Sequence, residues 1–449
     1  MIEMTLSAAA RAMQAKLQGR DMVFRGCSTD SRTITAGQLF IAIKGEHFDG
    51  HRFVDMARRK GAVAALISGK IDIDMPTLRV ADVRHAMGKL ASTWRESFSI
   101  PLVAITGSNG KTTVKEMLGA ILRIKAPVLT TRGNLNNEIG VPLTLYGLGK
   151  EHAYAVIEMG ANHPGEIGRL SHIAHPTVAV ITQCAPAHLE GFGSIDGVAA
   201  AKAEIFEGLD NDGIAIINAD DDYAGLWRNK TAAYRQISFG MTEDAEISAI
   251  PISAPGSIPN RFTLSTPLGA TEISLSIPGR HNIMNAMAAA ACAVGLDIEL
   301  AVIRQGLEGM QTVKGRLQVL PGRHHSILID DTYNANPASL QAALDVLCGF
   351  PGRHWLVLGD MGELGTESVA LHAAAGEQAR KNGVEKLFAL GPLSRNSVGH
   401  FGEGGRHFES MDALINQLRH EITGDVCILV KGSRAMQMER VIQQLEVAG

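Results

Sequence analysis

The stretch Ile105-Thr-Gly-Ser-Asn-Gly-Lys-Thr-Thr113 constrains this chain more than any other. It follows the apolar run Pro101–Thr106, which reads as a buried strand. It leads into Lys111–Ile124, where Val114, Met117, Leu118, Ile121 and Leu122 recur at helical spacing. A strand, a glycine-rich turn and a helix in that order let successive backbone N–H groups wrap an anion. The helix N-terminus adds partial positive charge and Lys111 a full one. The hydroxyls of Thr112 and Thr113 fall where a phosphate-bound Mg²⁺ sits in such loops. The GxxxxGK[ST] pattern is incomplete, because residue 105 is Ile rather than Gly, but its Gly-Lys-Thr end is intact. Gly107, Ser108, Asn109, Gly110, Lys111, Thr112 and Thr113 are therefore candidate ligands for nucleotide phosphates. The competing reading is a glycine-rich turn with a solvated lysine.

Around this loop, apolar runs alternate with helical stretches, the pattern of a parallel α/β sheet. Tyr154–Glu158, Thr177–Thr182 and Gly213–Asn218 read as strands, with helices at Gly165–Ala174 and Ile195–Leu209. From Ile247 to Pro278, polar–apolar alternation broken by prolines predicts antiparallel hairpins at an edge. An Ala-rich helix, Asn282–Val294, follows. A second series begins near Val313–Arg316, with strands Ser326–Asp330, Trp355–Leu358, Lys386–Leu390 and Val426–Val430. Its helices are Pro337–Leu347, Ser368–Lys381 and Arg434–Leu445, which together predict a separate doubly wound, Rossmann-like domain. A smaller mixed α/β unit precedes residue 100, with strands near Leu39–Ile43 and Ala64–Ile67. The chain thus divides into 1–99, 100–314 and 315–449, which agrees with about 150 residues per domain for 449 residues.

Composition narrows the function. A net charge of −4 gives no reason to expect nucleic acid or a membrane surface as partner. Cys27, Cys184, Cys292, Cys348 and Cys427 are scattered and odd in number, so neither a disulfide framework nor a zinc site is expected. The opening residues lack a signal-peptide pattern, and no run of about 18 apolar residues appears. A soluble, cytoplasmic, multidomain protein is the expectation from composition; a monomer is expected too, on grounds other than composition.

Three further residues bear on the chemistry. Glu158 ends its strand at the C-terminal edge of a sheet, where open α/β folds hold ligands and metals, although an ordinary solvated strand end would look the same. His188 lies in Pro186-Ala-His-Leu-Glu-Gly-Phe-Gly193, beyond another strand end. A neutral imidazole there can bind a second Mg²⁺, and a loop histidine can equally be incidental. Lys202 shares the apolar face of Ile195–Leu209 with Val198, Ile205, Phe206 and Leu209, a costly place for an ammonium. Either its stem is buried while its head reaches water, or burial lowers its pKa and leaves a reactive neutral amine. Such an amine adds CO₂ to give a carbamate, an anionic oxygen ligand suited to Mg²⁺. Spacing leaves both readings open.

Taken together, ITGSNGKTT, EMGANHPGEIG, APAHLEGFGS with AKAEIF, GRHNIMNAMAAAA and DDTYNANPASL recur in this order in the Mur ligases. The chain resembles that family over essentially its whole length. Asn134-Leu-Asn-Asn-Glu-Ile-Gly-Val-Pro142 and Asp331-Thr-Tyr-Asn-Ala-Asn-Pro337 look like the branch that adds the terminal dipeptide of the peptidoglycan precursor. The resemblance implies an ATP- and Mg²⁺-dependent ligase that joins D-alanyl-D-alanine to UDP-N-acetylmuramoyl-tripeptide through an acyl phosphate. It implies a first domain for the UDP sugar, a second for ATP, and a third that closes over both.

By the same resemblance, Thr112, Glu158, His188 and a carbamylated Lys202 would serve the metal, and Lys111 the phosphates. Asn282 would meet adenine, Arg316 the terminal phosphates and Asp331 the ribose. Tyr333, Asn334 and Asn336 would line the nucleotide and dipeptide. Ser31, Arg32, Lys44, Asp49 and His51 fall in segments resembling the uridine diphosphate site. Asn134, Asn136, Asn137 and Glu138 look like contacts to the substrate peptide. Rival readings are another amide ligase of the Mur or folylpolyglutamate type, a phosphotransferase, and a nucleotide-switched binding protein.

Overall fold

The structure is a computed structural model that describes residues 1–45, 48–186, 189–242, 244–254 and 256–447. Its described strands form three larger sheets and one two-stranded pair. In the central sheet the order is Val128–Thr130, Tyr154–Glu158, Leu102–Thr106, Val178–Ile181, Ile214–Asn218, Arg235–Gly240 and Ile247–Pro251, all parallel. Asn260–Thr266 and Gly269–Leu275 close one edge antiparallel, as the alternating proline-rich segment predicts.

One face of this sheet carries the helix Lys111–Lys125 and the nearly all-buried helix Arg280–Gly295. Val114, Met117, Leu118, Ile121 and Leu122 enter one apolar cluster with Met287, Ala290 and Ile303, so the helical spacing read from sequence marks a true core face. Gly306 lets the helix Leu300–Glu308 lie against this face, because a Cβ there would stand 2.4 Å from Ile121 Cα.

The C-terminal sheet runs Gln318–Pro321, Ile327–Asp331, Val426–Lys431, Arg353–Gly359, Lys386–Leu390 and Gly405–Phe408, parallel except for its first strand. The N-terminal sheet is smaller: Lys16–Gln18, Thr77–Val80, Ala64–Ser68, Leu39–Ile41 and Cys27–Ser28. Its helices share an apolar cluster with the second face of the central sheet, where Leu6, Phe24 and Leu90 pack with Ala104, Ile157 and Trp227.

Arg95, only 4% exposed, ties these units together. Its guanidinium donates to Ala174 O at 3.0 Å, Phe98 O at 2.6 Å and Ile100 O at 3.0 Å. Arg95→Met should leave those buried carbonyls short of donors and destabilise the protein by about 3 kcal/mol, read from urea unfolding. Unchanged unfolding would contradict this role.

Two expected helices are divided. Ile195–Leu209 is an α-helix only to Ala203, then tightens into a 3₁₀ turn over Glu204–Gly208. The reason is lateral: Glu204 accepts the N–H groups of Gly165 (2.7 Å) and Gly168 (3.1 Å), and Ile205 O accepts from Ser171 Oγ. Arg434–Leu445 is likewise a 3₁₀ turn, Arg434–Met436, and an α-helix, Glu439–Leu445, separated at Gln437 with φ of +51°. The strand expected at Ser326–Asp330 lies one residue later, at Ile327–Asp331. No helix among the described residues is long and apolar enough to cross a membrane, and none of the five cysteines is in a disulfide.

Candidate active site

The glycine-rich loop is fastened to the neighbouring strand exit. Ser108 N donates to Gln183 O at 2.9 Å, Ser108 Oγ donates to Ala185 O at 2.9 Å, and Thr182 Oγ1 donates to Asn109 O. Glycine is required twice. A Cβ on Gly107, at φ +146°, would stand 1.9 Å from Thr182 Oγ1. One on Gly110, at φ +83°, would stand 2.3 Å from Asn285 Oδ1. The loop therefore opens a cleft of about 620 Å³ between the central and C-terminal sheets.

Within the cleft, Lys111 Nζ folds back to Gly107 O at 2.6 Å. Burial, with Arg316 adding to it, lowers the pKa of this lysine, and Glu158 opposes the shift. Glu158, 3% exposed, is held from both sides: Thr112 Oγ1 donates to one carboxylate oxygen at 2.9 Å and Asn136 Nδ2 to the other at 2.8 Å. Thr131 Oγ1 accepts the Glu158 N–H at 2.9 Å, and the buried Lys115 fixes Thr131 through its carbonyl, also at 2.9 Å. Asn136 thus has a task the sequence does not reveal, holding the carboxylate. Sequence reasoning missed Thr131 and Lys115, although a lysine one turn into the loop's helix was a visible signal.

Lys202 is 2% exposed and lines the same cleft, its ammonium 5.4 Å from the Phe192 ring centroid. Burial, and then the nearby charge of Lys111, bring its pKa down to about 7. At that exposure its head does not reach water, which argues against the snorkelling reading. His188 lies outside the described residues. Among the described residues, no three His, Cys, Asp or Glu side chains converge as a ready-made metal cage.

The C-terminal unit reaches the loop directly. Arg316 Nη2 donates to Thr112 Oγ1 at 3.3 Å while its guanidinium lies 4.1 Å over the Tyr333 ring. Asn336 caps the helix Pro337–Leu347 and donates to Asn109 Oδ1 at 2.9 Å. Two buried donors here, Arg316 Nε and Asn109 Nδ2, have no hydrogen-bond partner among the described residues, as expected of groups that await an anion. Asp331 is ion-paired to Lys431, a buried cation that the sequence reading passed over, and Lys431 also donates to Asn334 O at 2.9 Å.

Asn134, Asn137, Glu138, Asn282, Asp331, Tyr333 and Asn334 all line the cleft. Asn282 spends its side chain internally, donating to Pro278 O at 2.7 Å and accepting from Asn285. Glu138 is paired with Arg84, whose guanidinium also reaches Lys44 O. Thr113 is buried in the first turn of the loop's helix. Ser31, Arg32, Lys44, Asp49 and His51 stand on the N-terminal unit, off the lining of this cleft. There His51 Nε2 accepts the Ser68 N–H at 2.9 Å, so Nδ1 carries the proton and donates to Asp49 at 2.6 Å. Hydrogen bonds from His51 hold the Asp49 carboxyl below its ordinary range. The Arg32 guanidinium is exposed and joined to Asp30.

Three family models match along the chain: "Mur ligase family, catalytic domain" over residues 23–95, "Mur ligase middle domain" over 105–293, and "Mur ligase, glutamate ligase domain" over 315–434. The UDP-N-acetylmuramoyl-tripeptide–D-alanyl-D-alanine ligase of Escherichia coli (strain K12) is 44% identical over 454 residues, covering 100% of both chains. The chain belongs to the Mur ligase family.

A crystal structure of MurF from Acinetobacter baumannii superposes on this Mur ligase with a TM-score of 0.93 at 38% identity, covering 99% of this chain and 98% of that one. MurF ligase from Thermotoga maritima, solved in complex with ADP, gives a TM-score of 0.83 at 29% identity over 94% and 96% of the two chains. The three-domain α/β architecture expected from the sequence is thus the Mur ligase fold.

Proposed function

We propose that this Mur ligase joins D-alanyl-D-alanine to UDP-N-acetylmuramoyl-tripeptide, with ATP converted to ADP and phosphate. The observation that carries the reading is the meeting of Lys111, the clamped Glu158 and Arg316 in one cleft, in a chain 44% identical end to end to a ligase of that name. A carboxylate does not react with an amine at neutral pH, because oxide is a poor leaving group. Transfer of the γ-phosphoryl group makes it an acyl phosphate: a carboxylate oxygen bonds to phosphorus as ADP departs. The dipeptide ammonium gives up one proton to solvent, its neutral nitrogen bonds to the acyl carbon, and the nitrogen sheds a second proton as phosphate departs.

Both steps crowd negative charge, which Lys111, the loop amides and Arg316 are placed to balance. Arg316 and Asn109 have donors to spare for phosphate oxygens. The donor set also fits Mg²⁺: the Glu158 carboxylate and Thr112 hydroxyl are hard oxygen ligands side by side, and Mg²⁺ needs only one or two carboxylates beside substrate phosphates. A carbamate on Lys202 would add another anionic oxygen. When bound, the ion would neutralise charge on the transferring group.

Closure of the C-terminal unit, through Asn336 and Arg316, would keep water from the acyl phosphate. Asn282, Asp331, Tyr333 and Asn334 are proposed for the nucleotide and dipeptide, Asn134, Asn137 and Glu138 for the substrate peptide. Ser31, Arg32, Lys44, Asp49 and His51 are proposed for the uridine diphosphate. Five free cysteines suit a reducing compartment, and we place the enzyme in the cytoplasm.

The test is ADP production from UDP-muramoyl-tripeptide with D-alanyl-D-alanine compared against single amino acids. Turnover should require the dipeptide. Turnover with a single amino acid instead would assign the chain to another step of the family.

A further inference from the structure

The strand Arg353–Gly359 leaves the C-terminal sheet into Asp360-Met-Gly-Glu-Leu-Gly365, a loop that none of the family motifs above covers. Its ends are pinned. Asp360 accepts the N–H groups of Ser394 at 2.7 Å and Leu393 at 3.3 Å, and its carbonyl accepts from Ser433 N at 2.9 Å. Wholly buried His372 accepts the Met361 N–H at Nε2 (2.9 Å), while Nδ1 donates to Ser368 O at 2.6 Å. These partners define a neutral imidazole bolted across the loop. Leu364 is buried as well.

Between these anchors Glu363 sits at φ +62°, a left-handed conformation that residues other than glycine seldom adopt. A strained residue persists where its surroundings over-determine it, and such residues cluster at ligand sites. Glu363 is exposed and lines the same cleft as Lys111, Glu158 and Arg316. It enters from the C-terminal edge of a parallel sheet, the side on which open α/β folds bind ligands.

We propose that Glu363 receives the ammonium group of the incoming dipeptide. This rests on the ligase reading above. The phosphate side of the cleft presents Lys111 and Arg316, which repel an ammonium. An amine bound for the acyl phosphate therefore needs a carboxylate elsewhere on the cleft lining, held rigidly enough to aim it. The loop bolted by His372 supplies one from the C-terminal sheet. Its far end, at Gly365, passes close to the helix Leu189–Phe192 of the central unit, where a Cβ would stand 3.9 Å from Glu190 Cα.

Glu363→Gln keeps size and removes charge. It should raise the KM for D-alanyl-D-alanine by roughly tenfold or more, the loss expected of a hydrogen bond to a charged group. The KM values for ATP and UDP-muramoyl-tripeptide should stay within about twofold, and Glu363→Asp should regain part of the affinity. Hydroxylamine, largely neutral at the assay pH, should still trap the acyl phosphate as hydroxamate at the wild-type rate. An unchanged dipeptide KM overturns the assignment. So does hydroxamate formation that falls in step with amide formation, since the loop would then be only structural. If the wild-type enzyme makes amide but no hydroxamate, this assignment remains testable by KM alone and the same KM criterion decides it. If it makes neither product, the ligase reading fails and takes the assignment with it.

Discussion

Replacing Lys111 with alanine is expected to cut dipeptide-dependent phosphate release by about 10³-fold or more, the scale of removing a preorganised charge from a transition state. The buried ammonium is held at the loop by the Gly107 carbonyl, and burial lowers its pKa. The folded protein thus bears a desolvation cost at this position that the Gly107 carbonyl and Glu158 offset only in part, and that a bound phosphate would offset further. Lys111→Ala should therefore leave thermal stability unchanged or raised while turnover collapses. Wild-type phosphate release in the variant would refute the loop's assignment. A collapse of stability together with activity would move Lys111 from chemistry to scaffolding.

The second large effect is at Lys202. Its ammonium is brought down to about 7, chiefly by burial, so a large share is neutral amine at neutral pH, the form that adds CO₂. Lys202→Ala should lose about 10²-fold or more of turnover, the range found when a group supporting phosphoryl transfer is removed. Short carboxylates such as formate or acetate should restore part of it by supplying the missing anionic oxygen. Carbon-13 bicarbonate should give the wild-type protein a carbamate resonance that Lys202→Ala lacks. Full activity without rescue, or identical spectra, would rule out the carbamate.

Features fixed by local spacing were legible in the sequence. The loop from Gly107 to Thr113, the strand-end position of Glu158 and the buried face of the helix Lys111–Lys125 each depend on a few adjacent residues, and the structure places them as expected. The buried setting of Lys202 was also foreseeable, because its apolar neighbours recur at helical spacing even though the helix tightens after Ala203.

What escaped were tasks created by partners distant in the chain. Asn136 serves Glu158 across 22 positions, and Lys431 pairs with Asp331 across 100. Asn336 reaches Asn109 across 227. No periodicity encodes such pairings, since they exist only once separate sheets have packed. The breaks at Glu204 and Gln437 were hidden for a related reason. The first is imposed by hydrogen bonds to another helix, and the second by a single left-handed residue that side-chain pattern does not mark.

In the proposed reaction the substrate carboxylate is phosphorylated before the amine arrives. The direct measurement uses UDP-muramoyl-tripeptide carrying ¹⁸O in its reacting carboxyl group, followed through one complete turnover with ATP and D-alanyl-D-alanine. The acyl phosphate route predicts that each inorganic phosphate released carries one ¹⁸O atom from that carboxyl group. Amide formation accompanied by unlabelled phosphate would contradict it.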